Sequence, residues 1–310
     1  ETADRAGKPA VVNLSLGGDS GPHDGTSGFE RALASLAPDD APGRCLVISA
    51  GNSGGRDRHA GGLQLEPHVE VPVSFSTSAR ATDRLNLELW FSTAPPSITL
   101  RSPGGRTVGP VALGQVLDRN AGTEGTVHID NASTGVDPDN GRWNAGVVVT
   151  GQDGAAVAGG HWSLLLDGGG GRWDGWITDA SGATADPRFL DHLDPDGRGD
   201  SPAYTRSAIS VGSFVNRNTW LTVDGRMIQR PTTPGQSSLF SGTGPTADGR
   251  FFPDVMAPGD YVISALSSDA SPRAAGTAFY VAGDPTLLVA DDGVHGALRG
   301  TSQAAPPVTG

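Results

Sequence analysis

Cysteine is almost missing: Cys45 is the single one in 310 residues, so no internal disulfide can staple the chain. Basic residues are outnumbered, 22 Lys+Arg against 34 Asp+Glu, and the formal charge of −12 excludes the basic surface that nucleic-acid phosphates require. No apolar run approaches the roughly 18 residues of a membrane helix, and the opening ETADRAGKPA has no signal-peptide character. A soluble chain with no nucleic-acid or membrane partner is expected, any targeting segment lying outside it. No short internal repeat occurs, and no His/Cys cluster has zinc spacing. Charged residues, at 18%, are too few for a disordered polyelectrolyte. Abundance lies in glycine and proline, 46 and 23, which predict turns and short strands rather than a helical bundle. At 310 residues the chain exceeds the roughly 250 at which one core stops growing, so one large domain or two smaller ones are expected.

Residues 10–54 read as a strand–helix–strand unit. The run Val11–Leu16 ends in Gly17-Gly18 as a buried parallel strand would. Ser27-x-x-Glu30 is a capping box, followed by a helical stripe at Phe29, Ala32, Leu33 and Leu36 that Pro38 and Pro42 close. Cys45–Ala50 is a second buried strand, ending at Gly51-Asn52. A parallel pair with a crossover helix puts both strand ends on one sheet edge, so Ser15-Leu16-Gly17 and Ala50-Gly51-Asn52 should be neighbours. From about 63 to 180 the texture changes to alternating apolar and polar residues, as in Glu70–Phe75, Leu85–Phe91, Ser97–Leu100 and Thr126–Ile129, with further apolar runs at Gly146–Val149 and Trp162–Leu166. Short strands between Gly/Pro turns describe an antiparallel β-sandwich. Strand segments return at Ala208–Gly212 and from Val255, and Thr301–Pro306 reads as the first turn of a helix. The fold class is therefore α/β, a parallel-sheet domain (1–62 and 181–310) interrupted by a β-sandwich (63–180).

Four segments carry chemistry, in order. They are Val12–Gly18, Ser49-Ala50-Gly51-Asn52-Ser53-Gly54, the stretch Phe240–Thr246 through Pro253–Gly259, and Gly300-Thr301-Ser302-Gln303-Ala304-Ala305-Pro306. Together they resemble the subtilisin-like serine proteases over roughly residues 10–54 and 200–310. The resemblance implies a serine-type endopeptidase acting on protein or peptide substrates through an acyl-enzyme. Ser302 would be the nucleophile, and Asn52 with the Ser302 backbone N–H would form the oxyanion hole. Ser15, Leu16 and Gly17 would pair with the substrate backbone, and Ser49, Ala50 and Gly51 would form the opposite pocket wall. Taken alone, Gly51-Asn52 is a left-handed turn and Ser302 a helix cap. Gln303 and Pro307 stand where the family usually has methionine and histidine, and Pro306-Pro307 removes two backbone donors. The sandwich is similar in position to the jelly-roll insert of the spore-germination subtilases.

The family's aspartate and histidine motifs precede its pocket strand, and neither is present in the roughly ten residues before it here. Asp19-Ser20-Gly21 and His23-Asp24-Gly25-Thr26 imitate them, but in the loop after that strand, where a turn and helix cap suit the sequence better. Of the histidines, His23, whose loop leaves the same sheet edge, and His59, near Asn52, are the ones placed closest to the cleft. As written the chain is expected to hydrolyse peptides at no more than a residual rate. The competing reading is a catalytically dead relative that binds peptide, or carbohydrate through exposed Trp143, Trp162, Trp173 or Trp176, although tryptophans of a sandwich more simply fill its core. No cofactor is required. Calcium is the one raised, because Asp194, Asp196 and Asp200 space carboxylates around glycines as hard-cation loops do, the alternative being a plain turn. Acidic charge without disulfides fits a secreted or cell-surface bacterial enzyme.

Overall fold

Apolar runs bounded by glycine become the strands of a parallel sheet. In the computed structural model, which describes residues 7–40, 42–62, 68–75, 84–152, 155–179, 187–267 and 274–310, β1 (Ala10–Leu14) lies parallel to β2 (Arg44–Ser49) with Leu14 opposite Ile48. Helix α1 (Gly28–Leu36) connects them. β3 (Ala208–Val215) and β4 (Val255–Asp260) complete a four-stranded parallel sheet in the order β1-β2-β3-β4. β5 (Val262–Ala265) and β6 (His295–Leu298) form an antiparallel pair that leads into α2 (Thr301–Thr309).

Alternation along β2 sorts the two helices. Leu46 and Ile48 cluster with Leu33 and Ala37 of the α1 segment, whereas Val47 clusters with Ala304 and Ala305 of α2. Residues of opposite parity point to opposite faces of a strand, so the helices cover opposite faces of the sheet. Each of the buried leucine, isoleucine and valine side chains among these contributes about 1.5–3 kcal/mol, and each alanine less. The α1 stripe is only partly used: Leu33 is buried, but Phe29 and Leu36 are 54% and 58% exposed. Helix α2 also runs past its first turn, for nine residues, with Pro306 and Pro307 inside it.

The chain forms two compact units, Glu1–Gly17 with Gly28–Gly55 and Gly199–Gly310, and Gly18–Ser27 with Arg56–Arg198. Residues 63 and 180, where the sequence sets the ends of the insert, lie outside the described residues. The second unit contains a six-stranded sheet ordered 59–62, 173–179, 84–91, 143–150, 126–130, 116–120 and a five-stranded one ordered 188–189, 69–75, 160–167, 97–101, 107–111. Every pairing within them is antiparallel. Their inward residues share one core that includes Leu87, Leu89, Phe91, Val147, Leu164 and Trp162. The expected strands at 70–75, 85–91, 97–100, 126–129, 146–149 and 162–166 are all present.

Candidate active site

Parallel pairing of β1 and β2 carries Ser15 and Ala50 out of the same end of the sheet, and α2 begins beside them. Asn52 is the hinge of this corner. Its Oδ1 accepts the Thr301 backbone N–H at 2.9 Å and the Thr301 hydroxyl at 3.2 Å. A backbone N–H can only donate, so the carbonyl end of the amide must face α2 and Nδ2 remains the outward donor. The Thr301 hydroxyl also accepts the Gly51 N–H at 3.1 Å, which ties the Asn52 loop to the helix start from both sides. Gly300, with φ 151°, precedes the helix in a backbone conformation that favours glycine. Ser302 sits in the first turn, where a backbone N–H has no intrahelical acceptor, so its N–H and Asn52 Nδ2 belong to one corner.

Ser302 is half-buried, and its Oγ is 3.5 Å from the Ser15 carbonyl. In return the Ser15 hydroxyl donates to the Ser302 carbonyl at 3.0 Å. That bond has a specific cause. A residue at position 306 would normally donate its N–H to the carbonyl of 302, and Pro306 has none. Ser15, just past the end of β1, supplies the missing donor. Asn13 Nδ2 donates to Ser15 Oγ at 2.9 Å, and the Thr309 hydroxyl donates to Asn13 Oδ1 at 3.2 Å, so a ladder of polar side chains joins β1 to both ends of α2. The Asn13–Ser15–Thr309 ladder and the Thr301 hydroxyl are absent from the sequence reading, although an alternating Asn-x-Ser on a strand before a proline-containing helix is the signal for them. Beside Ser302 a cleft of about 480 Å³ is lined by Gln303, Pro306, Pro307, Val262, Phe279 and Leu298. Ser15, Leu16 and Gly17 are exposed, whereas Ser49, Ala50 and Gly51 are buried.

The histidines expected nearest the cleft do other work within the second unit. His23 is fully buried, its Nε2 is 3.0 Å from the Asp19 carbonyl, and its ring stacks on Trp176 at 4.0 Å. Burial pushes its pKa down to about 3, against the hydrogen bond to Asp19 and with a further push from His59. His59 stacks on the same indole at 4.3 Å and reaches the Asp196 carbonyl at 2.5 Å and Asp174 at 3.3 Å. Asp19 pairs with Arg58 at 3.1 Å. The substrate-side role expected for His59 is thus corrected: a ring buried at 1% exposure in a stack has no free face for substrate.

His59, Asp174 and Asp194 come close enough to hold a metal ion, but their charges are already matched. Arg142 donates to Asp174 at 2.6 Å and Arg172 at 2.7 Å, and Arg172 also lies 3.4 Å from Asp194. Burial alone would raise the Asp174 pKa, but the hydrogen bonds from His59 and Arg172 and the nearby charges hold it well below the usual range. The calcium loop meets the same objection. Asp194 Oδ1 accepts the Asp196 N–H at 2.9 Å and its Oδ2 faces Arg172, so the donor set fits a charged turn and opposes a dication. Asp200 belongs to the other unit. The four tryptophans raised for carbohydrate are not exposed: Trp162, Trp173 and Trp176 are buried at 1–2% and Trp143 packs on the same core.

The Subtilase family model matches residues 2–310. The Clostridium perfringens CspB protease has a similar fold, with a TM-score of 0.74 at 21% identity over 99% of this chain. This chain spans 55% of that protease's length. A Bacillus licheniformis lipase in propeptide form aligns with a TM-score of only 0.28 at 10% identity, over 58% of this chain and 62% of that one, too slight a likeness to bear on the fold. No curated protein matches the chain.

Proposed function

Because the chain belongs to the subtilase family, we propose that it is the nucleophile-bearing portion of a secreted serine endopeptidase, with Ser302 as nucleophile and Asn52 as the oxyanion-hole amide. The observation that carries this reading is the pair of Thr301 donors on Asn52 Oδ1, which leaves Nδ2 as a preorganised donor next to Ser302. In the reaction the Ser302 Oγ attacks the scissile carbonyl carbon as a base takes its proton. The carbonyl oxygen becomes an oxyanion held by Asn52 Nδ2 and the Ser302 N–H. Collapse expels the amine, which takes the proton back from the base, and leaves an ester on Ser302 that water cleaves in the reverse sense. Substrate backbone would run along Ser15–Gly17 as an added strand, with Ser49–Gly51 opposite.

No motif in this chain supplies the base. His23 is buried and neutral, and Asp19 is paired with Arg58, so the two imitations of the family's motifs are poor candidates. The 310-residue chain by itself is therefore expected to be inactive. The test compares it with the product of the longer coding sequence on a labelled protein substrate, with Ser302→Ala in each. The longer product should cleave, its Ser302→Ala variant should not, and the short chain should do no better than either Ser302→Ala variant. A longer product without Asp-Ser/Thr-Gly and His-Gly-Thr-His motifs that binds peptide and fails to cleave it would make the protein a non-catalytic relative.

A further inference from the structure

Arginines after residue 199 fall into two groups. Arg206 and Arg250 pair with Asp248 at 2.7 and 3.0 Å, and Arg226 pairs with Asp224 and Asp284 at 2.8 and 2.7 Å. Arg217, Arg230 and Arg299 have no ion pair among the described residues, and all three belong to one patch of the first unit. The carboxyl ends of β3 and β4 anchor it: the Asp260 carbonyl accepts the Asn216 N–H at 3.2 Å and the Arg217 N–H at 3.5 Å. From the other side the Arg230 N–H donates to the Asn218 carbonyl at 2.7 Å, and Asn218 Nδ2 donates to the Thr232 carbonyl at 2.8 Å. Tyr261, next after Asp260, carries two of the cations. The Arg230 guanidinium carbon is 5.6 Å from its ring and 5.7 Å from that of Trp220, and Arg299 is 5.6 Å from Tyr261 and from Phe240. An aromatic ring engages the face of a guanidinium and leaves the N–H groups along its edge available. Tyr261 also has φ 57°, a left-handed conformation that a bulky residue keeps only where its surroundings hold it.

We propose that Arg217, Arg230 and Thr232 form a binding site for one oxyanion, a phosphate or a carboxylate group. Its donors are in place and unused: Arg217 Nε, Arg230 Nε and the Thr232 hydroxyl are all buried without a hydrogen-bond partner. Buried polar groups are nearly always satisfied, so three orphans on two neighbouring loops call for an acceptor that the chain does not provide. The acid of the patch, Asp260, does not provide it. It is buried, its Oδ1 likewise has no partner, and Arg299 is the cation that acts on it, which leaves Arg217 and Arg230 unmatched. Like charges half-buried beside Trp220 and Tyr261 are poorly screened by water. An oxyanion relieves that repulsion and accepts the paired N–H groups of a guanidinium edge, as a neutral ligand cannot. The place suits a ligand too, since it lies beyond the carboxyl ends of parallel strands, where open α/β sheets bind theirs. The site does not depend on the roles given to Ser302 and Asn52.

The experiment titrates the 310-residue chain with sodium phosphate, sodium acetate or sodium chloride at one fixed ionic strength near neutral pH, with the thermal midpoint as the readout. Phosphate, acetate or both should raise the midpoint to a plateau that chloride does not reach. A plateau with phosphate alone assigns the site to phosphate groups, and one with acetate assigns it to carboxylates. Arg217→Gln and Arg230→Gln should each weaken the binding about tenfold or more, the loss of one charge-assisted pair. Arg226→Gln, whose arginine already serves Asp224 and Asp284, should leave it unchanged. Midpoints in chloride show whether each variant is folded. If a glutamine variant is not, Thr232→Val removes only a hydroxyl and should weaken the binding about two- to tenfold. Equal midpoints in the three salts, or a selective response that survives both arginine variants, would overturn the site.

Discussion

Acid should unfold the second unit through His23. In the unfolded chain this histidine takes up a proton near pH 6.5, whereas in the folded protein burial holds its pKa down to about 3. Above pH 6.5 the ring is neutral in both states and nothing is lost. Below it the unfolded chain gains a proton that the folded one refuses, so stability falls as the pH falls, until the folded pKa is reached. At about pH 4 the gap from 6.5 is about 2.5 units, and at about 1.36 kcal/mol per unit the loss is about 3 kcal/mol. That is a large part of the 5–15 kcal/mol available to a domain. Two other buried acids do not reproduce the effect. Asp174, depressed by its His59 and Arg172 bonds, begins to cost stability only below its usual carboxylate range, and Glu88, raised by burial, works in the opposite direction as the pH falls. Five of the six tryptophans, all but Trp220, belong to this unit, so urea unfolding followed by their fluorescence between about pH 7.5 and 4 reads it directly. His23→Gln should flatten the profile across this window. A wild-type stability that does not change between about pH 6.5 and 4, or an unaltered slope in His23→Gln, would refute the account.

The remaining predictions concern the active corner and the charged clusters. Asn52→Asp keeps the acceptor for Thr301 N–H and removes the oxyanion donor, so the complete enzyme should lose turnover with little change in melting temperature. The size of that loss, about 10²–10³, is the one found for removing an oxyanion-hole asparagine in subtilisin rather than one worked out from this structure. Asn52→Leu removes the acceptor as well and should also cost about 1–3 kcal/mol in thermal unfolding, from an orphaned N–H at the start of α2. Gly51→Ala should destabilise by roughly 1–2 kcal/mol from its φ of 99° alone and by more from its overlap with Asp200, and adding Asp200→Gly should restore only the second part. Asp260 is buried, with its pKa raised by burial against the opposing pull of Arg299, so Asp260→Asn should raise stability near neutral pH, and denaturant midpoints would show it. Chelation with EDTA should leave the melting temperature unchanged, since Arg172 already occupies the charge of Asp194, and a clear fall would revive the calcium loop.

The parallel sheet and the helix start at Thr301 were legible because their determinants are local. Apolar runs ending in glycine become β1 and β2, although only β2 is buried: β1 is the edge strand, and Val11, Val12 and Leu16 of the run expected to be buried are exposed; Gly300-Thr301-Ser302 lies at a helix start. The strands of the insert were legible for the same reason, each alternating over its own few residues. What could not be read has distant partners. The stretch from Asp19 to Thr26 looks like a turn and a cap, yet Gly21 N–H donates to Glu88, the Pro22 carbonyl accepts Arg142, and Asn140 donates to the Thr26 hydroxyl. No window of local sequence contains those partners. Asp200 misled for a related reason: its spacing from Asp194 and Asp196 suggests a shared ion, while its contacts are with glycines 183 and 149 residues away, taking 200 − 17 and 200 − 51. Phe29 and Leu36 show a third limit, since a helical stripe gives the side of a helix without saying how much of it another element covers.

The allegiance of residues 18–27 to the second unit, with both of their chain neighbours in the first, sets an order of events during synthesis. Their partners, Glu88, Asn140, Arg142 and Trp176, are made up to 153 residues after His23, so β1 and α1 can emerge from the ribosome long before the loop between them has anything to hold. Contacts of that separation are slow to close and leave the earlier segment waiting. The two units therefore cannot mature one after the other as the chain is made, and a version shortened by removing 56–198 would discard Trp176, on which the His23 ring stacks. The insert is not a cassette that can be lifted out, because the ten residues between β1 and α1 belong to its unit.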